Sequence, residues 1–353
     1  MYTGDTKYDV IILGCGIAGS SLGYLLKKGG YRVLILDHRK YHGKNKLCSG
    51  IITKRSYNIL KSIYDIKELE KYTIIGRFDS FMIKSIFTAT INNVDLKVVN
   101  RKRLDIFLAN QYVNSGGDLL EECGPLEYDL KNKTIKSGMF TFSYNILVGA
   151  DGVVSSLRKL LTGKYQDRYV SMQCSAKPGP YKILFEFKNN FGYYWHISTS
   201  TKTIIGCGDF KEYRKTIPEF TKNINKNENI DSEILSGIRP TGKEIMLISQ
   251  KYKNIYFIWD AAGLTSPLTG EGIYHALNSA QKLYKAISDD DSYISLMNST
   301  VIDIKKELIY KKGMYNFIRR TTYTYIMTKN NILSKFYRKK LIHLLHIDWL
   351  LKT

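Results

Sequence analysis

The sequence predicts an α/β fold in which a parallel sheet with flanking helices is joined by a second, antiparallel sheet and a helical carboxyl-terminal segment. Three observations point there. Residues 8–37 read as strand, glycine-rich turn, helix, strand and acid. Two later apolar runs, at 146–150 and 255–259, each lead into an aspartate, a turn and a helix. Between them lie alternating segments such as "KILFEF" and "TIIGCG", whose period of two suits antiparallel strands.

The first element is the run Val10 to Leu13, followed by Gly14-Cys15-Gly16-Ile17-Ala18-Gly19, a helix of small and apolar residues, and the run Val33 to Leu36 ending in Asp37. Gly14 permits the tight turn, Gly16 lets backbone approach a pyrophosphate, and Gly19 lets the helix pack on the strands. Ile17 and Ala18 complete the turn into the helix and, with the three glycines, are expected to bind the cofactor. Asp37 stands where a ribose hydroxyl is accepted. The unit is a Rossmann-like dinucleotide site, and by itself it does not choose between NAD and FAD.

Next comes an amphipathic helix opened by Arg101 and containing Asp105 and Leu108. The strand ending in Asp151-Gly152 leads to Ser155 and Arg158 on a further helix. The stretch "IYFIWDAAGLTSPLTGEGIYHAL" places Asp260 at the end of an apolar run read as the strand Ile255 to Trp259. A carboxylate there is costly without a polar partner. Pro267 delays the following helix, and Gly270 and Gly272 clear side chains from its start, which becomes an anion site with Ile273 in its first turn.

A length of 353 residues suggests about two domains. The formal charge of +21 suits a polyanion or an anionic membrane surface. No zinc-finger, RRM-like or helix-turn-helix pattern supports nucleic acid binding. The five scattered cysteines contain no C-x-x-C pair for a metal and indicate a reducing, cytoplasmic setting. Glycines stud the run Val10 to Leu26, which argues against an export signal, and no stretch is long and apolar enough to span a bilayer.

The order G-x-G-x-x-G, R-x-x-x-D-x-x-L, G-A-D-G-x-x-S-x-x-R and D-A-A-G-x-x-x-P-x-x-G-E-G resembles the FAD-dependent oxidoreductases built as the aromatic hydroxylases are. Within them the chain is most similar to the geranylgeranyl reductase family, particularly its short bacterial members. "KNKLCSG" resembles that family's K-x-C-G/S-G segment, and "YYWHIS" its Y-x-W-x-F-P motif. The likeness runs to about residue 295. Two departures stand out: Trp259 where the family usually has Gly, and Ile197-Ser198 in place of F-P.

The resemblance implies FAD, held by Arg101 at its pyrophosphate, by Asp260 in the diphosphate–ribityl region, and by amides around Gly272 and Ile273 at the flavin N1–O2 edge. It places Cys48 near the isoalloxazine as a proton donor or a small packing contact; a thiolate there needs a cation such as Lys44 or Lys46. Asp151 reads equally as cofactor contact or helix cap. Tyr193 and Trp195 alternate on a strand and share one face, either a substrate-facing aromatic wall or core.

The dinucleotide domain is expected at 1–75, 97–163 and 252–295, the substrate domain at 76–96 and 164–251, and carboxyl-terminal helices at 296–353. The Lys- and Asn-rich stretch 214–236 reads as an exposed helix or loop. The implied activity is reduction of a carbon–carbon double bond in an isoprenoid or related lipid, with NAD(P)H or another electron donor. Alternatives are a flavin monooxygenase of a hydrophobic substrate and a flavin redox carrier or sensor. From residue 296 onward, twelve Lys and Arg stand against three acids among aromatic and aliphatic residues, as in a helix that docks on anionic membrane.

Overall fold

The computed structural model describes residues 6–40, 46–84, 88–187, 192–210, 218, 220–222, 224 and 230–328, the side chains of 209–210, 312 and 314–328 excepted. Its first sheet is centred on β1 (Lys7–Leu13) and β9 (Phe140–Gly149). β1 pairs in parallel with β9 on one side and with β2 (Val33–Leu36) on the other, and β2 pairs with β6 (Asp118–Leu120). The far edge of β9 is shared. β15 (Ile255–Phe257) runs parallel along its carboxyl half, and β8 (Thr134–Ser137) antiparallel along its start, with β7 (Leu126–Asp129) outside β8. Strand order reverses between β1 and β9, and in parallel sheets ligands bind beyond the strand ends at such a switch.

Both faces of this sheet are covered, which explains why β1 and β2 are continuous apolar runs. Val10, Ile11, Ile12 and Leu34 have no exposed surface, and burial of each such side chain is worth about 1.5–3 kcal/mol. The helix α1 (Ile17–Lys28) packs closely because its facing residues are small. A methyl group built on Gly23 would lie 2.9 Å from both Ile35 and Tyr112.

Among the described residues the second sheet has eight strands in the order β14-β10-β13-β12-β11-β4-β5-β3. These are β3 (Ile51–Thr53), β4 (Ile74–Lys84), β5 (Thr88–Val99), β10 (Arg168–Ala176), β11 (Lys182–Phe187), β12 (Tyr193–Ser198), β13 (Thr203–Phe210) and β14 (Leu235–Pro240). Its pairings are antiparallel apart from β11 with β4. Ile51–Thr53 pairs with β5, so the chain enters this sheet once before residue 76. In the stretch expected to be exposed, Phe220 and Ile224 are instead buried, packed with Met172, Cys174, Tyr194 and Cys207. Lysine and asparagine around them masked two apolar anchors at helical spacing.

A second correction concerns Trp259. The run Ile255 to Trp259 is not one strand: β15 stops at Phe257, and Trp259 opens the short helix α6 (Trp259–Ala262). Trp259 has φ +49, the left-handed region that costs a residue with a side chain about 1 kcal/mol or more. Its backbone is held there from both ends, its N–H donating to Ser279 Oγ at 3.1 Å and its carbonyl accepting from Leu264 N at 2.9 Å. Glycine adopts this conformation without penalty, and in that respect tryptophan is the costlier residue.

Candidate active site

A cavity of about 1190 Å³ extends from the carboxyl ends of β1, β2 and β9 to the face of the second sheet. At the strand ends, Gly14 has φ +103, and a methyl group built on it would lie 2.6 Å from the Ala150 carbonyl oxygen. One on Gly19 would lie 1.9 Å from the Gly14 carbonyl oxygen, so only hydrogen fits. Gly16 lines the cavity as the N-cap of α1 and supplies no side-chain cap, so the first-turn amides have no cap from it. Ile17 and Ala18 are fully buried; with Gly19 they build the helix start and do not line the cavity.

Asp37 does line it, and its carboxylate already accepts from Cys15 N at 2.7 Å and Arg39 N at 2.9 Å. The acid thus braces the glycine turn and keeps lone pairs for a ligand. Cys15 is an inert thiol, its pKa pushed up to about 12 chiefly by burial.

Arg101 opens α4 (Arg101–Asn114). A cation in a first turn opposes the helix dipole, and Asp105 one turn on compensates it. Arg101 Nε donates to Asp105 Oδ1 at 3.1 Å, and Lys46 Nζ lies 2.5 Å from Asp105 Oδ2. Burial disfavours the guanidinium's charge, but Asp105 and the adjacent Cys48 hold its pKa above the ordinary value. Burial likewise opposes ionisation of Asp105, and the two cations keep its pKa below the usual carboxylate range. Two cations around one carboxylate leave net positive charge at the cavity wall.

Cys48 sits in the loop before β3, where its Sγ accepts from Gly50 N at 3.4 Å. Gly50, at φ +76, presses against β5: a methyl group on it would lie 2.4 Å from the Val99 carbonyl oxygen. Lys44 lies outside the described residues; Lys46 and Arg101 both pair with Asp105, and Arg101 also interacts directly with the Cys48 thiol.

Across the cavity, Asp260 accepts from Thr265 Oγ1 at 2.8 Å. Burial raises its pKa to about 6, against the lowering pull of Thr265, Arg239 and Arg101. The loop then reaches α7 (Ile273–Ser288), whose N-cap, Gly272, again provides no side-chain cap. Gly270, at φ +73, makes room for the Tyr193 hydroxyl, which donates to the Thr269 carbonyl at 3.1 Å. Glu271, to which the sequence reading gave no role, accepts from Thr53 Oγ1 at 2.7 Å and pairs with Arg55. Its sequence signal is its place between Gly270 and Gly272; the partners Thr53 and Arg55, on β3 and α2 (Lys54–Ile63), lie far away in the chain. From the other side, Lys311 on α8 (Tyr293–Thr328) donates to the Pro267 carbonyl at 2.7 Å, and the Ser266 hydroxyl to Glu307.

The far wall is apolar, formed by Phe81, Ile83, Leu96, Phe185, Tyr193, Trp195 and Leu268. Tyr193 and Trp195 are buried with ring centroids 5.7 Å apart, and Trp195 lies flat over Gly206, so they are at once core and cavity wall. Arg158 is elsewhere engaged: it donates to Gln166 and to the carbonyls of Ala261 and Glu244 and ties α5 (Ser156–Thr162) to the core. Asp151 accepts from Ser156 N at 2.9 Å at the start of that helix while lining the cavity, and burial raises its pKa.

Two uncapped helix starts, a side-chain-free glycine turn, an acid beyond β2 and a cationic wall fit an elongated dinucleotide. No family model matches the sequence. An uncharacterized protein of Methanosarcina barkeri is 28% identical over 297 residues, 80% of this chain and 75% of that one. Digeranylgeranylglycerophospholipid reductase of Methanococcus vannielii is 24% identical over 304 residues, 78% and 75% of the two chains. Among solved structures, a geranylgeranyl bacteriochlorophyll reductase-like protein of Thermoplasma acidophilum superposes with a TM-score of 0.70 at 19% identity, covering 89% of this chain and 88% of that one. PqsL of Pseudomonas aeruginosa, a probable FAD-dependent monooxygenase, gives 0.70 at 14% identity over 88% and 96%. The chain therefore has the fold of the FAD-binding oxidoreductases and monooxygenases, and its resemblance to the geranylgeranyl reductases, first carried by its motifs, is shared by named homologues and by a solved neighbour.

Proposed function

We propose that this protein is an FAD-dependent oxidoreductase that reduces a carbon–carbon double bond of an isoprenoid or related lipid. One observation carries the reading: the cavity is continuous from the glycine turn at Gly14–Gly16 to the aromatic wall at Tyr193 and Trp195, and so suits a dinucleotide at one end and an apolar chain at the other. The low-identity relatives named as reductases of geranylgeranyl lipids support the substrate class.

In this reading the start of α1 at Gly16 and the Arg101 side of the cavity would hold the pyrophosphate, Asp37 would hold a ribose hydroxyl, and Asp260 would accept from hydroxyls of the ribityl region. The uncapped start of α7 at Gly272 and Ile273 lines the cavity and would favour negative charge on the pyrimidine side of a bound flavin. FAD held there and reduced by NAD(P)H or another donor would supply the hydride for one carbon of the double bond. A proton for the other carbon comes from the Cys48 thiol or from water, and the thiolate so formed is next to the Arg101 guanidinium. Phe81, Ile83, Phe185 and Leu268 exclude water from the reacting end.

Anaerobic reoxidation of the reduced flavoprotein tests this. Prenyl lipids with double bonds should reoxidise it without oxygen, whereas saturated ones should not. Dependence of substrate conversion on oxygen would instead establish the monooxygenase alternative, for which the PqsL-like fold is the supporting observation.

A further inference from the structure

Trp259 combines two costs in one residue. Its backbone sits in the left-handed region at φ +49, and its indole Nε1 is a buried donor with no hydrogen-bond partner among the described residues. A buried unsatisfied donor and a strained backbone persist where the surrounding structure enforces them, and such features cluster at ligand sites. The surroundings enforce the backbone here through Ser279 and Leu264. The indole spans the interval between the two open helix starts. A methyl group built on Gly16 would lie 3.5 Å from Cζ3 of Trp259, and one built on Gly272 would lie 3.1 Å from its Nε1. Both glycines and Trp259 line the cavity, and Asp260, the neighbouring residue, lines it as well.

We propose that Trp259 is a cofactor-binding residue whose indole N–H donates to an oxygen of the diphosphate–ribityl segment of FAD. This rests on the assignment of the cavity as an FAD site and adds to it a donor at the position where the resembling family usually carries glycine. An indole is donor only, and this one has no acceptor among the described residues, so the dinucleotide's phosphate and hydroxyl oxygens are the chemistry that completes it. Phosphate oxygen is the stronger partner, because hydrogen bonds to charged acceptors are about twice as strong as neutral ones. The ring also fills the interval that a glycine would leave to water, so the donor acts in a dry site.

The test compares Trp259→Phe and Trp259→Gly with wild type as cofactor-free proteins, measuring FAD affinity by flavin fluorescence titration and thermal midpoint without FAD. Trp259→Phe keeps an aromatic ring and removes the N–H. The expected result is a loss of FAD affinity of roughly tenfold or more, about 1.4 kcal/mol, with an unchanged or raised midpoint for the cofactor-free protein, since an unsatisfied donor has been removed. Trp259→Gly, which also loses the ring, should bind no more tightly than Trp259→Phe. Equal affinity of wild type and Trp259→Phe, or tighter binding by Trp259→Gly, would overturn the proposal, the second outcome marking the indole as an obstruction. Failure of wild type itself to bind FAD would instead overturn the underlying site assignment.

Discussion

Asp260 illustrates what a single residue contributes before any ligand arrives. Burial keeps its native carboxyl protonated up to about pH 6, whereas an unfolded aspartate releases its proton near pH 4. Between those values the native state binds more protons, so the stability of the cofactor-free protein falls as pH rises through the window and stays lower above it. Asp260→Asn, which mimics the protonated form, should therefore be more stable than wild type at pH 7 when FAD is absent, with the difference closing below about pH 4. Urea denaturation at several pH values measures this, and a difference independent of pH would refute it. Cys48→Ser asks a separate question. If the thiol supplies the proton, substrate reduction should slow while flavin content and flavin reduction by the donor stay intact; loss of all three together would make Cys48 a structural residue. The glycine turn and Asp37 could be read from sequence because short-range sterics alone dictate them. The Arg101–Asp105 pair is one helical turn and equally local, but the arrival of Lys46 at Asp105 was not legible, because it depends on how the loop before β3 packs on α4.

Among the elements, the segment from Leu264 to Gly272 has little regular structure of its own and is held by its neighbours. Glu271 ties it to Thr53, Arg55 and Ser56 at the start of α2, while Glu307 and Lys311 grip Ser266 and Pro267 from α8. Removing the carboxylate leaves Arg55 largely buried without its charge partner. Glu271→Ala should accordingly destabilise the protein by about 2 kcal/mol and weaken FAD binding in parallel, as chemical denaturation and flavin titration would show. Unchanged stability with weaker binding would mean that Glu271 acts on the ligand and not on the loop. Period-two patterns identified β11 and β13 directly. Trp259 was read into a strand because its apolar neighbours continue the pattern of β15; nothing local signals that the backbone turns left-handed there.

For the molecule as a whole, the +21 charge is the feature that fold alone does not explain. No described helix is long and apolar enough to cross a membrane. The stretch "SKFYRKKLIHLLHIDWL" expected to dock on anionic membrane lies at 334–350, outside the described residues. We propose that it does so. Each basic side chain near such a surface contributes about 1 kcal/mol, screened over a Debye length of about 8 Å. Sedimentation with liposomes should then require acidic lipid, fall with salt, and weaken when Arg338, Lys339 and Lys340 become Gln without loss of FAD. Equal sedimentation with neutral vesicles would count decisively against docking.

The order in which the first sheet is assembled has a consequence for synthesis. The glycine turn at Gly14–Gly19 emerges from the ribosome early, yet Gly14 packs against Ala150 at the end of β9, and β9 receives β15 and α6 only after the whole second sheet has been made. The clasp from Glu307 and Lys311 comes later still. A nascent chain therefore carries an unfinished cradle through most of translation, and on the proposed reading flavin capture is expected late. Ribosome-bound chains that expose residues only as far as 250 should retain no FAD, while those exposing residues beyond 311 should retain it; capture by the shorter chains would show that the amino-terminal strands close around the cofactor unaided.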